Sequence, residues 1–321
     1  MTDWDCVTVI KKWIKQSKPN VNVKSICIGS NKKINEYIED IIDLISLEEL
    51  YIYNSKLEYV PDSIEKLINL RRICLRANKI EIIPENLCKL VMLTNLSLPF
   101  NKIELIPINI DNLINLTVLD LSKNEIENIC DSIYGLKNLI HLNLSHNKIK
   151  TISNKISQLN NLNELHMESN KLIEIPNEIG KLSKLKELNL VKNKISAISD
   201  SFYNLVNLEK LDLSNNKIII IDNDIVKMTK LIYLNLSDNK IKYMSDNIFT
   251  IENLSGLYLQ NNLLTELSDK IGKLKKLIHL NIKSNKITLI PKSITQCEKL
   301  NEFEYDEDLI ESNPFQDQYN N

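Results

Sequence analysis

Twelve leucines cut most of this sequence into equal lengths. Leu47, Leu70, Leu93, Leu116, Leu139, Leu162, Leu185, Leu208, Leu231, Leu254, Leu277 and Leu300 follow one another every 23 residues, with no insertion. A period of that size marks a solenoid, in which no single unit can bury its own apolar face and stacked neighbours do it together. The repeat overrides the two-domain expectation that 321 residues would otherwise raise, because such a fold grows by adding neighbours rather than by enlarging one core.

The unit from Leu139 to Asn161, LIHLNLSHNKIKTISNKISQLNN, shows the pattern. With Leu139 as offset 0, Leu142, Leu144, Asn147, Ile149, Ile152, Ile156 and Leu159 fall at offsets 3, 5, 8, 10, 13, 17 and 20. Alternation at the start predicts a short strand with offsets 3 and 5 inward and offsets 2, 4 and 6 outward. His141, Asn143, Ser145 and His146 are then left to face a partner. Offset 8 is asparagine at Asn78, Asn101, Asn124, Asn147, Asn170, Asn193, Asn216, Asn239, Asn262 and Asn285. A buried asparagine needs partners for its amide donors and its carbonyl acceptor. Backbone groups left unpaired where each strand ends can supply them. The expectation is a structural ladder of asparagine side chains, broken at its ends by Ser55 and Asp308.

The second half of each unit is a return segment. Offset 14 is proline at Pro61, Pro84, Pro107, Pro176 and Pro291, and Ser, Asp or Cys elsewhere. Proline fixes φ and needs no N–H partner, which suits entry into a short helical turn. Ser or Asp can cap the same turn through a side-chain oxygen.

The ends are less regular. Residues 4–16 read as an amphipathic helix with Trp4, Val7, Ile10 and Ile14 on one face, expected to cap the first repeat within a segment 1–22. Residues 23–46 form a degenerate repeat one residue out of phase, since Val23 to Leu47 is 24. Its second half predicts a helix with Ile34, Ile38, Ile41, Ile42 and Ile45 inward. Regular units occupy 47–310, and 311–321 form a C-terminal tail.

Composition narrows the function. The net charge is −2 with 26% charged residues, so a general nucleic-acid binder, which needs a basic excess, is not expected. The six cysteines are scattered, with no CxxC pair and no clustering at the ends. They read as thiols in a reducing compartment. The start, MTDWDCVTVIKKW, is not a signal peptide, and no run approaches the ~20 apolar residues of a membrane span. A cytoplasmic location is therefore expected. Five N-x-S/T sequons arise from the repeat itself. Gly-rich phosphate loops and HExxH are absent from the sequence, and no cofactor, metal site or enzymatic activity is expected.

The motif LxxLxLxxNxIxxIPxxIxxLxxL resembles the leucine-rich repeat family, and the 23-residue length with its "IP..I..L" return is similar to the intracellular type of Ras-pathway and cell-polarity scaffolds. The resemblance covers 47–310 strongly and 23–46 weakly. It implies an α/β leucine-rich repeat solenoid, curved, with a parallel sheet on the concave face and short helical or turn segments on the convex face. It also implies protein or peptide binding through the concave face, so a non-catalytic scaffold or adaptor is expected, and the chain is expected to be monomeric. A regulatory subunit wrapping a phosphatase or small GTPase is the alternative it permits.

With the scaffold positions fixed, specificity falls to outward strand positions. Tyr51, Tyr53, Arg72, Arg76 and Phe100, with Arg71, form a first candidate patch, since Tyr and Arg are favoured binding anchors. His141, His146 and His166, with Glu164 and Glu168, form a central group read as polar contact residues. Tyr233 and Tyr258 fall at neighbouring strand positions where an aromatic pair is possible. The acidic run from Glu302 to Glu311 reads as a solvated cap edge.

Overall fold

The structure, a computed structural model, describes residues 22–312 and 314–315; the expected helix over 4–16 and the end of the tail lie outside them. Two compact units divide the chain after Ile149.

In the first unit, six strands stand in sequence order: β1 (Ser25–Gly29), β2 (Glu49–Tyr53), β3 (Arg72–Cys74), β4 (Asn95–Ser97), β5 (Val118–Asp120) and β6 (His141–Asn143). All pair in parallel. From β2 onward each residue faces the one 23 later, as in Arg72↔Asn95 and Leu96↔Leu119. Between β1 and β2 the step is 24, Ser25↔Glu49, as the phase slip requires. In the second unit the same order runs through β7 (Glu164–His166), β8 (Glu187–Asn189), β9 (Lys210–Asp212), β11 (Tyr233–Asn235), β13 (Gly256–Tyr258), β14 (His279–Asn281) and β15 (Glu302–Glu304). A second, two-stranded parallel ladder there joins β10 (Ile220–Ile221) to β12 (Tyr243–Met244). Parallel strands need a crossover between them, and here the return segment is that crossover.

The return segments are 3₁₀ turns, and the residue spacing explains why. Ile64 N–H donates to Pro61, Leu67 to Ile64 and Leu70 to Leu67. In a 3₁₀ turn side chains at i and i+3 eclipse one another, so apolar residues at offsets 17, 20 and 23 share one inward side. Ile64, Leu67 and Leu70 are all at most 1% exposed. Each such side chain contributes about 1.5–3 kcal/mol when fully buried, and every unit repeats the set. Proline at the entry sits at the N-cap with φ near −65°, as at Pro61 (−62°) and Pro176 (−65°). Where serine replaces it, Ser153, Ser245 and Ser268 accept from the backbone N–H two residues on. Ser199 and Asp222 hold the same place without a side-chain cap.

In the first return segment, Ile34–Glu36 is a 3₁₀ turn and α1 (Ile38–Ile42) a short α-helix. Ile34, Ile38, Ile41 and Ile42 are buried, but Ile45, expected inward, is 62% exposed. The helix stops before it, and Ile45 occupies the outward place taken by Ile68, Val91 and Ile114 in later units. Gly180 marks a different constraint. A Cβ there would lie 1.9 Å from the Ser201 backbone oxygen, so glycine lets two return segments approach.

Candidate protein-binding surface

Within each compact unit the asparagines bind one repeat to the next. Asn101 Nδ2 donates to the carbonyl of Leu75, one unit back, and to that of Leu98 in its own unit, while its Oδ1 accepts from the Ile80 N–H. Asn124, Asn193, Asn216, Asn239, Asn262 and Asn285 repeat these contacts at the same sequence separations. Asn147 donates to Leu121 and Leu144 and accepts from Ile126, Asn78 accepts from Leu57, and Asn170 donates to Met167. Ser55, expected to break the ladder, extends it: it is fully buried, and its Oγ accepts from the Asn31 N–H. At the other end the Asp306 carboxylate takes the Ser284 N–H.

The strand's outward face is narrower than alternation predicts. Ser145, expected to face a partner, is 3% exposed, and Ser122, Ser214 and Ser237 at the same offset are also buried. Strands β3 to β9, β11 and β13 to β15 are only three residues long, so the period-2 rule has expired there by offset 6. One residue later the backbone turns into the left-handed region. Asn54, Ala77, Phe100, Lys123, His146, Ser169, Lys192, Asn215, Asp238, Asn261 and Ser284 all have φ between 51° and 59°. Sequence reasoning missed this column, yet it left a signal: in an isoleucine-rich chain, offset 7 carries no Val, Ile or Thr, the side chains that tolerate φ > 0 least.

In the first unit, Arg76 and Phe100 come together, with the guanidinium 4.7 Å from the ring centroid. Lys123, not anticipated, places its ammonium 4.3 Å from the same ring. A 38% exposed phenylalanine thus has two cations within cation–π reach of its ring. Arg72 instead serves Glu49, its Nε 2.9 Å from Oε1. That hydrogen bond holds the Glu49 carboxyl below the usual carboxylate range, assisted by Ser25 and Tyr51 and opposed by burial. Tyr53 lies over Gly29, where a Cβ would come 2.4 Å from its ring.

The expected central group belongs to both units: His141 and His146 to the first, His166, Glu164 and Glu168 to the second. His166 Nε2 stands 3.8 Å from Glu164 and 3.9 Å from Glu187. Among the described residues no group of three or more His, Cys, Asp or Glu side chains could hold a metal ion.

The second unit holds the best-formed patch. The rings of Tyr233 and Tyr258 have centroids 5.3 Å apart and an interplanar angle of 44°. Buried Gly256 lies beneath them; a Cβ there would be 3.1 Å from the Tyr258 ring and 3.4 Å from that of Tyr233. Burial pushes the Tyr233 phenol up to about 12, with the nearby Asp212 carboxylate adding to it. The phenol therefore remains a hydrogen-bond donor at neutral pH, and Asp212 Oδ2 is held by Asn235 at 3.0 Å. His279 and Glu302 meet at 2.7 Å farther along the same sheet.

Comparison with known proteins agrees with this architecture. Residues 81–219 match the family description "Leucine-rich repeat region", 206–248 match "Leucine Rich repeats (2 copies)" and 252–304 match "Leucine rich repeat". The chain belongs to the leucine-rich repeat family. No curated protein matches it in sequence. Among solved structures it is similar to a leucine-rich repeat protein of Leptospira interrogans, at 26% identity and TM-score 0.70, covering 92% of this chain and 86% of that one. It is also similar to the plant peptide hormone receptor RGFR1, solved in complex with RGF2, at 29% identity and TM-score 0.75 over 83% of this chain. It spans 45% of that receptor chain. InlJ from Listeria monocytogenes, at 23% identity and TM-score 0.73 over 83% of this chain and 55% of its own, shows the fold alone. Leucine-rich repeats are in general non-catalytic interaction modules, and protein or peptide partners are in keeping with these neighbours. No helix of the described residues is long and apolar enough to cross a membrane.

Proposed function

We propose that this leucine-rich repeat chain is a scaffold or adaptor whose strand face binds an extended peptide or a protein surface, with Tyr233 and Tyr258 as its principal anchor. The observation that carries the reading is the aromatic pair over Gly256. Two large rings are held at fixed angles by the backbone beneath, so a ligand gains contact area at little cost in side-chain ordering. Arg76, Phe100 and Lys123 form a second anchor in the first unit, suited to a carboxylate beside an apolar side chain, while Arg72, Tyr51, Tyr53, His141 and His166 supply polar contacts. The five described cysteines are free thiols, which supports a cytoplasmic setting.

Selection from a displayed peptide library against the whole chain tests the reading. Selected peptides should lose about tenfold or more in affinity for the double variant Tyr233→Ala, Tyr258→Ala, which should melt like the parent. Unchanged affinity for that variant and for Phe100→Ala would remove the strand face as the binding surface.

A further inference from the structure

The return segments of the first unit carry a groove that the strand face does not explain. It encloses about 1150 Å³. Its floor is built by Tyr59, Ile82 and Leu105, which stand at offset 12 of three successive units and are 44%, 74% and 74% exposed. Ile82 and Leu105 are joined by a parallel β-bridge, so their side chains are fixed side by side. Ile108 adds a fourth apolar group, 72% exposed. It sits at offset 15, a place that every other regular unit fills with Asp, Glu, Asn or Lys. An isoleucine in that column contributes almost nothing to the core. Pro61, Pro84 and Pro107 also line the groove, and they stiffen it without offering N–H donors.

The walls are acidic. Glu58, Glu81 and Glu104 follow one another at offset 11, and Glu39, Asp62 and Glu85 complete the lining, which contains no lysine or arginine. Two of these six carboxylates reach lysines outside it, Glu58 to Lys79 at 3.8 Å and Glu81 to Lys102 at 3.2 Å. The second unit repeats exposed apolar residues at offset 12, at Ile220, Tyr243 and Leu289, but not the acidic column beside them. Its offset 11 residues are Lys150, Ile173, Ser196, Ile219, Lys242, Thr265 and Thr288.

A contiguous exposed apolar patch rimmed by polar groups marks an interaction site. Here the rim selects the chemistry of the occupant. A purely apolar ligand would cover carboxylates and leave them without compensation, which is costly. A ligand carrying cations beside its apolar groups satisfies floor and walls together. We propose that this groove docks a short protein segment in which two or three apolar side chains are flanked by lysines or arginines. The segment lays its apolar groups on Tyr59, Ile82, Leu105 and Ile108 and pairs its cations with the acidic column. This surface is separate from the strand face, so a scaffold of this kind can hold two partners at once.

The probe is a short labelled peptide of alternating leucine and lysine, followed by fluorescence anisotropy on the whole chain. Binding should weaken with added salt and fall about tenfold or more for Ile82→Ser, Leu105→Ser. Both changes are at exposed side chains, so the variant should melt like the parent. Counterpart peptides with serine for leucine or glutamate for lysine should not bind. The Tyr233→Ala, Tyr258→Ala variant should bind the probe as the parent does, which keeps this test independent of the strand face. Equal binding of the serine peptide, or unchanged affinity for the Ile82→Ser, Leu105→Ser variant, overturns the proposal. So does a concentration-dependent dimer, seen by sedimentation, that the same two substitutions abolish, because the occupant is then a second copy.

Discussion

Leu188 and Glu187 are neighbours in β8, and they belong to different regions of the molecule. Leu188 is 1% exposed in the interior. Glu187 is half-buried on the strand face, 3.2 Å from Lys210 and 3.9 Å from His166. The inward region is nearly the same in every unit; the outward region changes from unit to unit. Inward residues meet the identical residue of the next unit and must therefore share its shape. Outward residues meet solvent or a ligand, and only their own register is fixed. The scaffold is thus written many times and the surface once.

Changes on the inward side should cost most. Leu188→Ala should destabilise by about 2–5 kcal/mol, the range for a leucine cavity that close packing cannot collapse, read as a shift of the urea midpoint. A small shift would mean that neighbouring units slide to fill the space. Asn147→Ala comes next, at about 1–3 kcal/mol, because it leaves the Ile126 N–H without its acceptor and takes one of two amide donors from the Leu121 carbonyl, which keeps Asn124. An unchanged midpoint would mean that water replaces the amide without loss. The boundary between the two regions is offset 7. Lys192→Val should cost about 1–2 kcal/mol for a β-branched side chain at φ 54°, whereas Lys192→Asn should stay within about 0.5 kcal/mol. Equal effects of both would show that backbone conformation does not govern that column.

Much of the interior was legible because the 23-residue phase is a direct statement about which residues meet. The strand pairing, the slip at Val23 and the contacts of Asn101 or Asn216 follow from it. Ser145 was misread because alternation was carried past a strand of three residues. Ile45 was misread because a helical pattern was extended beyond Ile42. Arg76 with Phe100 and Tyr233 with Tyr258 were readable as columns. Lys123 and Gly256 were not, since a cation beside a ring and a glycine beneath one depend on where side chains turn after the strand ends. The groove at Tyr59, Ile82 and Leu105 was hidden for a related reason: offset 12 holds Asn128, Thr151 and Glu174 elsewhere, and no periodic rule says which way it faces.

The asparagine ladder has a consequence for chain length. Asn124 reaches back to Ile103 and Leu98, and Asn147 reaches Ile126 and Leu121 by the same two separations. Excising residues 116–138 would hand Asn147 the partners that Asn124 has now. Duplicating them would create a new asparagine already in register. Gains and losses of one whole period keep every such bond, while a single extra residue has to be taken up inside the unit that carries it, as in the 24-residue step from β1 to β2. The chain can thus change its reach in steps of a full unit, and three consecutive units must stay together for the groove at Ile82 to survive.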